Sequence, residues 1–432
     1  MGSKWREMTL GEFVTLQRGH DLPDAQRNPG HVPILGSFGI TGWHSEAKTK
    51  GPGVTIGRSG GSIGVVSYTP DDYWPLNTAL YVKDFHGNDA KFAYYFLKTI
   101  DFKSYNSGSA QPSLNRNHIH PLPVKVPSPE TQKVIAGILS GLDDKIALNH
   151  QTNTTLESMA QALFKSWFVD FDPVIDNALA AGNPIPEPLQ ARADARAALG
   201  DQRKSLPNQI RQQFPDRFVL TEEMGWVPEG WEVAPLSNTA QLKTQSIYPN
   251  REPEKVWTHF SIPAFDNGMN PSFDRGETIK SGKYEVPKTA ILASKLNPQF
   301  PRIWMPDVAD ESSSVCSTEF MPFVPNDSAE RPYVYSLFCS DIMQSEISNR
   351  VTGSTGSRQR VKPKEIAELP ILTPSQNLRL AFSEIACSFF DKKLVVQCET
   401  LALQGLRDTL LPKLLSGELR IPEAERQVAE TI

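Results

Sequence analysis

Cysteine is scarce in this 432-residue chain: Cys316, Cys339, Cys387 and Cys398 are the full set. They form no C-x-x-C pair and have no clustered histidines beside them, which argues against a zinc site or a disulfide framework and for buried free thiols. No apolar run approaches the roughly 18 residues that a membrane span requires. The opening Met1–Thr15 lacks the basic flank and apolar stretch of a signal peptide, so a cytoplasmic protein without a membrane partner is expected. Positive charge is also short. With 44 Lys and Arg against 49 Asp and Glu the net charge is −5, which excludes nucleic-acid binding by bulk electrostatics alone and leaves the local distribution of charge to decide.

What the chain does have is itself, twice. A weak internal repeat pairs Trp5 and Leu10 with Trp231 and Leu236, and Asn77-Thr78 with Ser317-Thr318. Further along it pairs Tyr94 and Phe96 with Tyr335 and Leu337, Gly108-Ser109 with Gly353-Ser354, and Ile119, Leu122 and Pro123 with Ile366, Leu369 and Pro370. The common order of these matches carries the argument. Within each copy, β-prone runs (Gly53–Tyr68 and Thr289–Trp304) alternate with Gly, Pro, Asn and Ser turns and one aromatic amphipathic helix, Ala90–Asp101 or Arg331–Glu346. Each copy reads as an α+β domain.

Both copies then run into a long helix through similar punctuation, Ser128-Pro129 and Thr373-Pro374: a hydroxyl cap, then a proline at the first helical position. Gln376 supplies a capping-box partner for Thr373. A four-three spacing follows through Ile135, Leu139, Leu142, Ile146, Asn149, Asn153, Leu156, Ala160, Leu163 and Trp167. The second copy matches it with Leu378, Phe382, Ile385, Phe389, Lys392, Val396, Glu399, Leu403, Leu406 and Leu410. At about 1.5 Å per residue, some 40 residues make a rod of roughly 60 Å whose apolar stripe needs a partner. Antiparallel pairing brings the two polar centres together, with Asn153 near Lys392. The expected helix-pair interface is Leu142, Ile146, Asn149, Asn153 and Leu156 against Phe389, Lys392, Val396 and Leu403. Periodicity alone leaves open the alternative that each helix packs on its own module.

Three stretches then carry a resemblance. Leu163-Phe164-Lys165-Ser166-Trp167-Phe168-Val169-Asp170-Phe171-Asp172-Pro173, Gly225-Trp226-Val227-Pro228-Glu229-Gly230-Trp231 and Leu410-Leu411-Pro412-Lys413-Leu414-Leu415-Ser416-Gly417-Glu418-Leu419 resemble signatures of the specificity subunits of type I restriction-modification systems. With the duplication, the resemblance covers nearly the whole chain. It implies two α/β target-recognition domains related by pseudo-twofold symmetry and separated by two long antiparallel coiled-coil helices. The expected boundaries are 1–127 and 225–372 for the recognition domains, 128–172 and 373–422 for the helices, 173–224 for a linker with a short helix near Leu189–Leu199, and 423–432 for a tail. The resemblance further implies a non-catalytic reader of a bipartite sequence in double-stranded DNA, which directs modification (methyltransferase) subunits, two of them, and restriction subunits. S-adenosylmethionine, ATP and Mg²⁺ are expected on those partners and no cofactor in this chain.

Composition singles out where DNA contacts would lie. No Asp or Glu occurs from Phe102 to Pro129, nor from Ile347 to Lys364, and the repeat aligns these segments. The first offers Ser107, Ser109, Gln111, Ser113, Asn115 and Arg116, and the second Thr352, Ser354, Arg358, Gln359 and Arg360. Arg, Gln and Asn suit bidentate contacts to base edges, and the neighbouring glycines allow close approach to phosphate. A second candidate is the Gly57–Gly64 turn with Arg58, Ser59 and Ser62, whose counterpart carries Lys295 and Asn297. It lacks the Lys-Ser/Thr ending of a nucleotide-binding loop. Solvated turns would show the same composition. Six of the eight histidines, His20, His31, His44, His86, His118 and His120, fall in the first module without metal-ligand spacing and read as surface or packing residues.

Three patterns mimic catalysis, one of them Phe38-Gly39-Ile40-Thr41-Gly42, which departs from the methyltransferase glycine motif. Asn297-Pro298-Gln299-Phe300 departs from the adenine-methyltransferase signature at its third residue, and Pro23-Asp24 with Glu46-Ala47-Lys48 has nuclease-like spacing that short sequences produce by chance. A self-contained methyltransferase or nuclease, and a coiled-coil scaffold without DNA specificity, are the competing readings.

Overall fold

The structure is a computed structural model, described here for residues 5–105, 113–202, 206–352 and 359–431. The first module opens with strand β1 (Arg6–Thr9), helix α1 (Leu10–Phe13) and strands β2 (Thr15–Arg18), β3 (Val32–Gly36), β4 (Gly39–His44), β5 (Gly53–Gly57), β6 (Val66–Thr69), β7 (Trp74–Pro75) and β8 (Ala79–Asp84). Helices α2 (Ala90–Lys98) and α3 (Arg116–Ile119), strand β9 (Pro123–Val126) and the long helix α4 (Pro129–Phe168) follow. Three helices come next: α5 (Asp172–Ala181), α6 (Glu187–Ala198) and α7 (Asn208–Arg211).

A hairpin of β10 (Phe218–Thr221) and β11 (Gly225–Pro228) precedes the second module. That module holds β12 (Glu232–Pro235), β13 (Ala240–Leu242), β14 (Ser246–Ile247), β15 (Val256–Phe260), α8 (Ile262–Asp266), β16 (Ser272–Arg275), β17 (Lys283–Glu285), β18 (Ile291–Ser294), β19 (Ile303–Trp304), β20 (Ser314–Cys316) and β21 (Phe320–Pro325). It closes with α9 (Arg331–Cys339), α10 (Asp341–Ser348), α11 (Pro363–Ala367) and β22 (Pro370–Thr373), before the second long helix α12 (Gln376–Ser416) and α13 (Ile421–Thr431).

The chain divides into two compact units, 1–151 with 396–432, and 152–395. Each unit thus takes one module and half of each long helix. Within the first unit, Asp143 meets Arg407 at 2.8 Å and Asn149 meets Glu399 at 2.9 Å. Within the second, Glu157 meets Lys393 at 2.5 Å and the rings of Phe164 and Phe382 lie 5.6 Å apart. Rising numbers on one helix meet falling numbers on the other, the antiparallel sense expected.

The repeat is plain in the strands. The first unit has an antiparallel sheet β2-β8-β5-β6, the second a sheet β13-β21-β18-β19 in the same order of counterparts. Strand β1 pairs with β9 with Thr9 opposite Pro123, and β12 pairs with β22 with Pro235 opposite Pro370. The N–H of Leu10 donates to Leu122 O and that of Leu236 to Leu369 O, each at 2.8 Å. Trp231 packs edge-on against Phe171 with centroids 5.6 Å apart. Its counterpart Trp5 lies against Gly417, where an added Cβ would come within 2.6 Å of the indole and φ is +77°. A second sheet is shared in part: β4-β3-β7 in the first module matches β16-β15-β20 within β14-β17-β20-β15-β16 of the second, with one antiparallel and one parallel neighbour on the central strand in both.

The joint between module and long helix is also made twice. In the first unit the fully buried Gln132 donates to Asn88 Oδ1 at 2.8 Å and to Pro127 O at 3.0 Å, and its Oε1 accepts from Asp89 N–H at 2.9 Å. In the second, Arg379 forks onto the carboxylate of Glu330 at 2.9 and 3.0 Å and donates to Pro374 O at 2.6 Å. The correspondence corrects the helix start. Pro374 is the counterpart of Pro127, α12 begins at Gln376, and Ser375, not Thr373, caps it by accepting from Leu378 N–H at 3.4 Å. Thr373 is the last residue of β22, and Gln376 reaches Asp327 at 3.1 Å.

Three other expectations shift. The helix expected over Arg331–Glu346 is two, because Ser340 is extended and its hydroxyl caps α10 by accepting from Met343 N–H at 3.3 Å. The buried stripe of α12 runs Leu378, Phe382, Ala386, Phe390 and Val396. Ile385 and Phe389 are therefore half-buried, Lys392 is exposed, and the lysine facing the other helix is Lys393. The cause is a second neighbour: Phe390 packs on Tyr335 of α9 at 5.2 Å, so the helix turns between its long partner and the module. On α4, Leu142, Ile146 and Asn149 are buried and Asn153 and Leu156 half-buried. Of the thiols, Cys316 is buried and Cys339 half-buried, whereas Cys387 and Cys398 lie off the buried stripe of α12 and are exposed.

The stretch expected as a linker is built. Val174, Ile175 and Ala178 of α5 are buried, and α6 is fastened to α5 by Arg192 on Asp172 at 2.8 Å and by Arg196 on Asp172 and Asp176. These arginines hold the Asp172 carboxyl below its usual range against the opposing effect of burial.

Candidate nucleic-acid interface

The candidate loops meet at one strand end in each module. In the first, Arg58 directly follows β5; its N–H donates to Thr78 O at 3.2 Å, and its carbonyl accepts from Leu114 N–H at 2.7 Å. A β-bridge joins Ser59 to Ser113. The Arg58 guanidinium points at Asn77 O, 3.4 Å away, and Ser113 Oγ, 3.5 Å away. Ser62 is buried and donates to Ser59 O at 2.6 Å, so it shapes the turn, while Ser59 is exposed. At Gly60, φ is +60° and an added Cβ would meet nothing within 4 Å, so that glycine serves the backbone path rather than packing. Asn115 caps α3 by accepting from Asn117 N–H at 3.0 Å, and Arg116 is the exposed first residue of that helix.

Arg58, Ser113, Asn115 and Arg116 line an open, polar cleft of about 740 Å³ together with Gln17, Arg18, His20 and Asp21. Burial and the like charge of Arg18 both push the Arg58 pKa down. Among the described residues no carboxylate forms an ion pair with Arg18, Arg58 or Arg116. Asn77 donates to Asp21 at the same rim. The sequence does not mark Arg18, Asp21 or Asn77 as contacts, and His20 reads there as a surface or packing residue. The signal available was the cationic Arg18 at the end of a short strand, which acquires meaning only once β2 lies beside β8.

The second module repeats the joint. The Lys295 N–H donates to Glu319 O at 2.9 Å, and the Lys295 carbonyl accepts from Val361 N–H at 3.1 Å. Bridges join Leu296 and Thr352 to Arg360. Asn297 is left-handed at φ +47°, donates its N–H to Gln359 O at 2.9 Å, and buries an Oδ1 without a partner. The Thr352 hydroxyl donates to Arg360 O at 3.0 Å. Arg360 forks onto Glu319 at 3.0 and 3.1 Å, and this carboxylate raises its pKa. Ser107, Ser109, Gln111, Ser354 and Arg358 lie outside the described residues.

The histidines of the first module include acceptors for backbone donors. His120 Nε2 accepts from Leu16 N–H and His44 Nδ1 from Asn28 N–H, both at 3.0 Å. Burial and Arg116 lower the His120 pKa. Among the described residues no three His, Cys, Asp or Glu side chains are grouped as metal ligands, and no helix is long and apolar enough to cross a membrane.

Comparison with known proteins agrees with the duplicated architecture. A family model described as the type I restriction modification DNA specificity domain matches residues 2–158, which spans the first module and the first part of α4. The chain is 28% identical over 336 residues to the type I restriction enzyme HindI specificity subunit of Haemophilus influenzae, covering 71% of both. It is 25% identical over 354 residues to the MjaIX specificity subunit of Methanocaldococcus jannaschii, covering 77% of this chain and 70% of the relative. Its fold resembles the type I restriction-modification S subunit from M. genitalium, with a TM-score of 0.57 at 16% identity over 96% of both chains. The chain is thus similar along most of its length to specificity subunits of type I restriction-modification systems.

Proposed function

We propose that this chain is the non-catalytic, sequence-reading subunit of a type I restriction-modification complex. Each module reads one half of a split duplex target. The paired long helices set the gap between the halves and carry the docking surface for two modification subunits, with restriction subunits joining the assembly. Methyl transfer from S-adenosylmethionine and the ATP- and Mg²⁺-dependent steps belong to those partners.

The observation that carries this reading is the joint made twice, Arg58 O with Leu114 N–H and Lys295 O with Val361 N–H. It puts a cation and a polar turn at the same strand end of both modules, with opposed loops that can approach base edges and phosphates. The proposed contacts are Arg58, Ser59, Ser113, Asn115 and Arg116 for one half-site, and Lys295, Asn297, Thr352, Gln359 and Arg360 for the other. Ser62 supports the first turn from beneath. Ser107, Ser109, Gln111, Ser354 and Arg358 remain candidates on sequence grounds.

The test is co-expression with the modification subunit followed by methylation mapping. Adenine methylation at one split sequence is expected with the partner, and neither methylation nor cleavage by the purified chain alone. Methylation without the partner would make the chain an enzyme, and methylation without sequence preference would make it a scaffold.

A further inference from the structure

Each candidate interface is bordered by a large apolar side chain that the protein does not cover. In the first module it is Phe38, 72% exposed, in the two-residue turn Ser37-Phe38 between β3 and β4. That turn sits against the candidate loop: the Ser37 carbonyl lies 2.5 Å from where a Cβ would stand on Gly57, the residue before Arg58. In the second module it is Phe300, 60% exposed, at the end of the turn that follows Lys295, closed by the Phe300 N–H on Asn297 O at 2.9 Å. The same turn is tied by Asn297 to Gln359.

The two phenylalanines occupy unrelated places in the repeat. Phe38 comes from the β3–β4 hairpin, whereas Phe300 lies in the turn that corresponds to Arg58–Val65. Two different routes therefore bring an exposed benzyl ring to a cationic, polar loop. A ring held out on a short turn loses little conformational freedom on contact. Beside cations that hold phosphate, its natural partner is the apolar part of the duplex: a base-pair step opened by insertion of the side chain.

We propose that Phe38 and Phe300 are wedges, each inserting at one base step of the half-site its module reads and partly unstacking it. This rests on the proposed DNA-reading function and adds a contact that removes no charge. Loss of the ring therefore weakens binding and abolishes the unstacking without changing the slope of log K against log salt, which reports phosphate contacts only.

The test uses the full chain assembled with its modification subunits and duplexes of the split target returned by methylation mapping. 2-Aminopurine is placed in turn at each half-site step away from the methylated adenine. Wild type is expected to raise the probe's fluorescence at one step in each half. Phe300→Ala removes the rise in one half and Phe38→Ala in the other, each weakening binding about tenfold or more, the scale of a lost base–aromatic contact. Phe38→Leu and Phe300→Leu, which keep apolar bulk, retain part of both effects. Leu220→Ala, an exposed apolar truncation on the β10 hairpin, changes neither. Target binding by wild type with both alanine variants equal to it in affinity and fluorescence would overturn the wedges and leave the reading of DNA intact. Failure of the wild-type complex to prefer any duplex sequence would overturn both.

Discussion

The two units solve one problem, fastening a module to a long helix, with different chemistry. Gln132 does it with a buried neutral amide that satisfies Asn88, Asp89 and Pro127. Arg379 does it with an ion pair whose carboxylate, Glu330, is only 2% exposed. The same two contacts, to the start of the module helix and to the residue before the cap, survive the exchange of an amide for a guanidinium. The position is thus fixed by the duplicated backbone and the charge is not. The interfaces differ in the same way: among the described residues Arg18, Arg58 and Arg116 of the first module form no ion pair, whereas Arg360 is held by Glu319.

The joint offers the largest effect. Arg379→Met strands a buried carboxylate and should cost about 3–5 kcal/mol of stability. Gln132→Met leaves neutral groups unsatisfied and should cost about 1–3 kcal/mol. The double change Glu330→Leu with Arg379→Met should recover most of the loss, because an apolar pair needs no compensation. Denaturation of each variant decides it, and equal losses at the two joints would end the distinction.

At the interfaces, Arg58→Ala and Arg360→Ala should each relax one half-site only, by about 1–3 kcal/mol of discrimination where the contact is to a base. Glu319→Gln should loosen Arg360 from its fixed pose, blunting selectivity at the second half-site less than removal of the arginine does. Binding to duplexes altered in one half at a time separates these outcomes. Equal loss at both halves would show that the modules do not read independently.

The smallest effect is acid sensitivity. His120 has a folded pKa below its ordinary value and accepts the Leu16 N–H in its neutral form. The unfolded chain takes up the proton first, so this contribution is complete above about pH 6.5 and is lost as pH falls below it. His259 in the second unit is lowered too, chiefly by burial, but Asp274 opposes the shift. Melting from about pH 7.5 to 5.5 should show His120→Ala flattening the decline, and a variant with the wild-type slope would exclude His120 as its source.

Much of this was legible in the residues. The α4 stripe from Ile135 to Trp167 and the pairing of Leu10 with Leu236 follow from spacing and order. The α12 stripe was misplaced by one residue around Ile385, Phe389 and Lys392, because a heptad assumes one partner and this helix has two. The partner of Arg360 could not be read from its acid-free segment, since Glu319 lies 41 residues away and reaches it only through β21. Arg18 and Asn77 were hidden for the same reason.

The central claim is that two modules read two halves separately. Methylation mapping in cells that carry the modification subunit with wild-type chain, Arg58→Ala or Arg360→Ala tests it most directly. One split target is expected for wild type, with degeneracy confined to a different half in each variant. Degeneracy in both halves from either change, or an unaltered target in both, would contradict it.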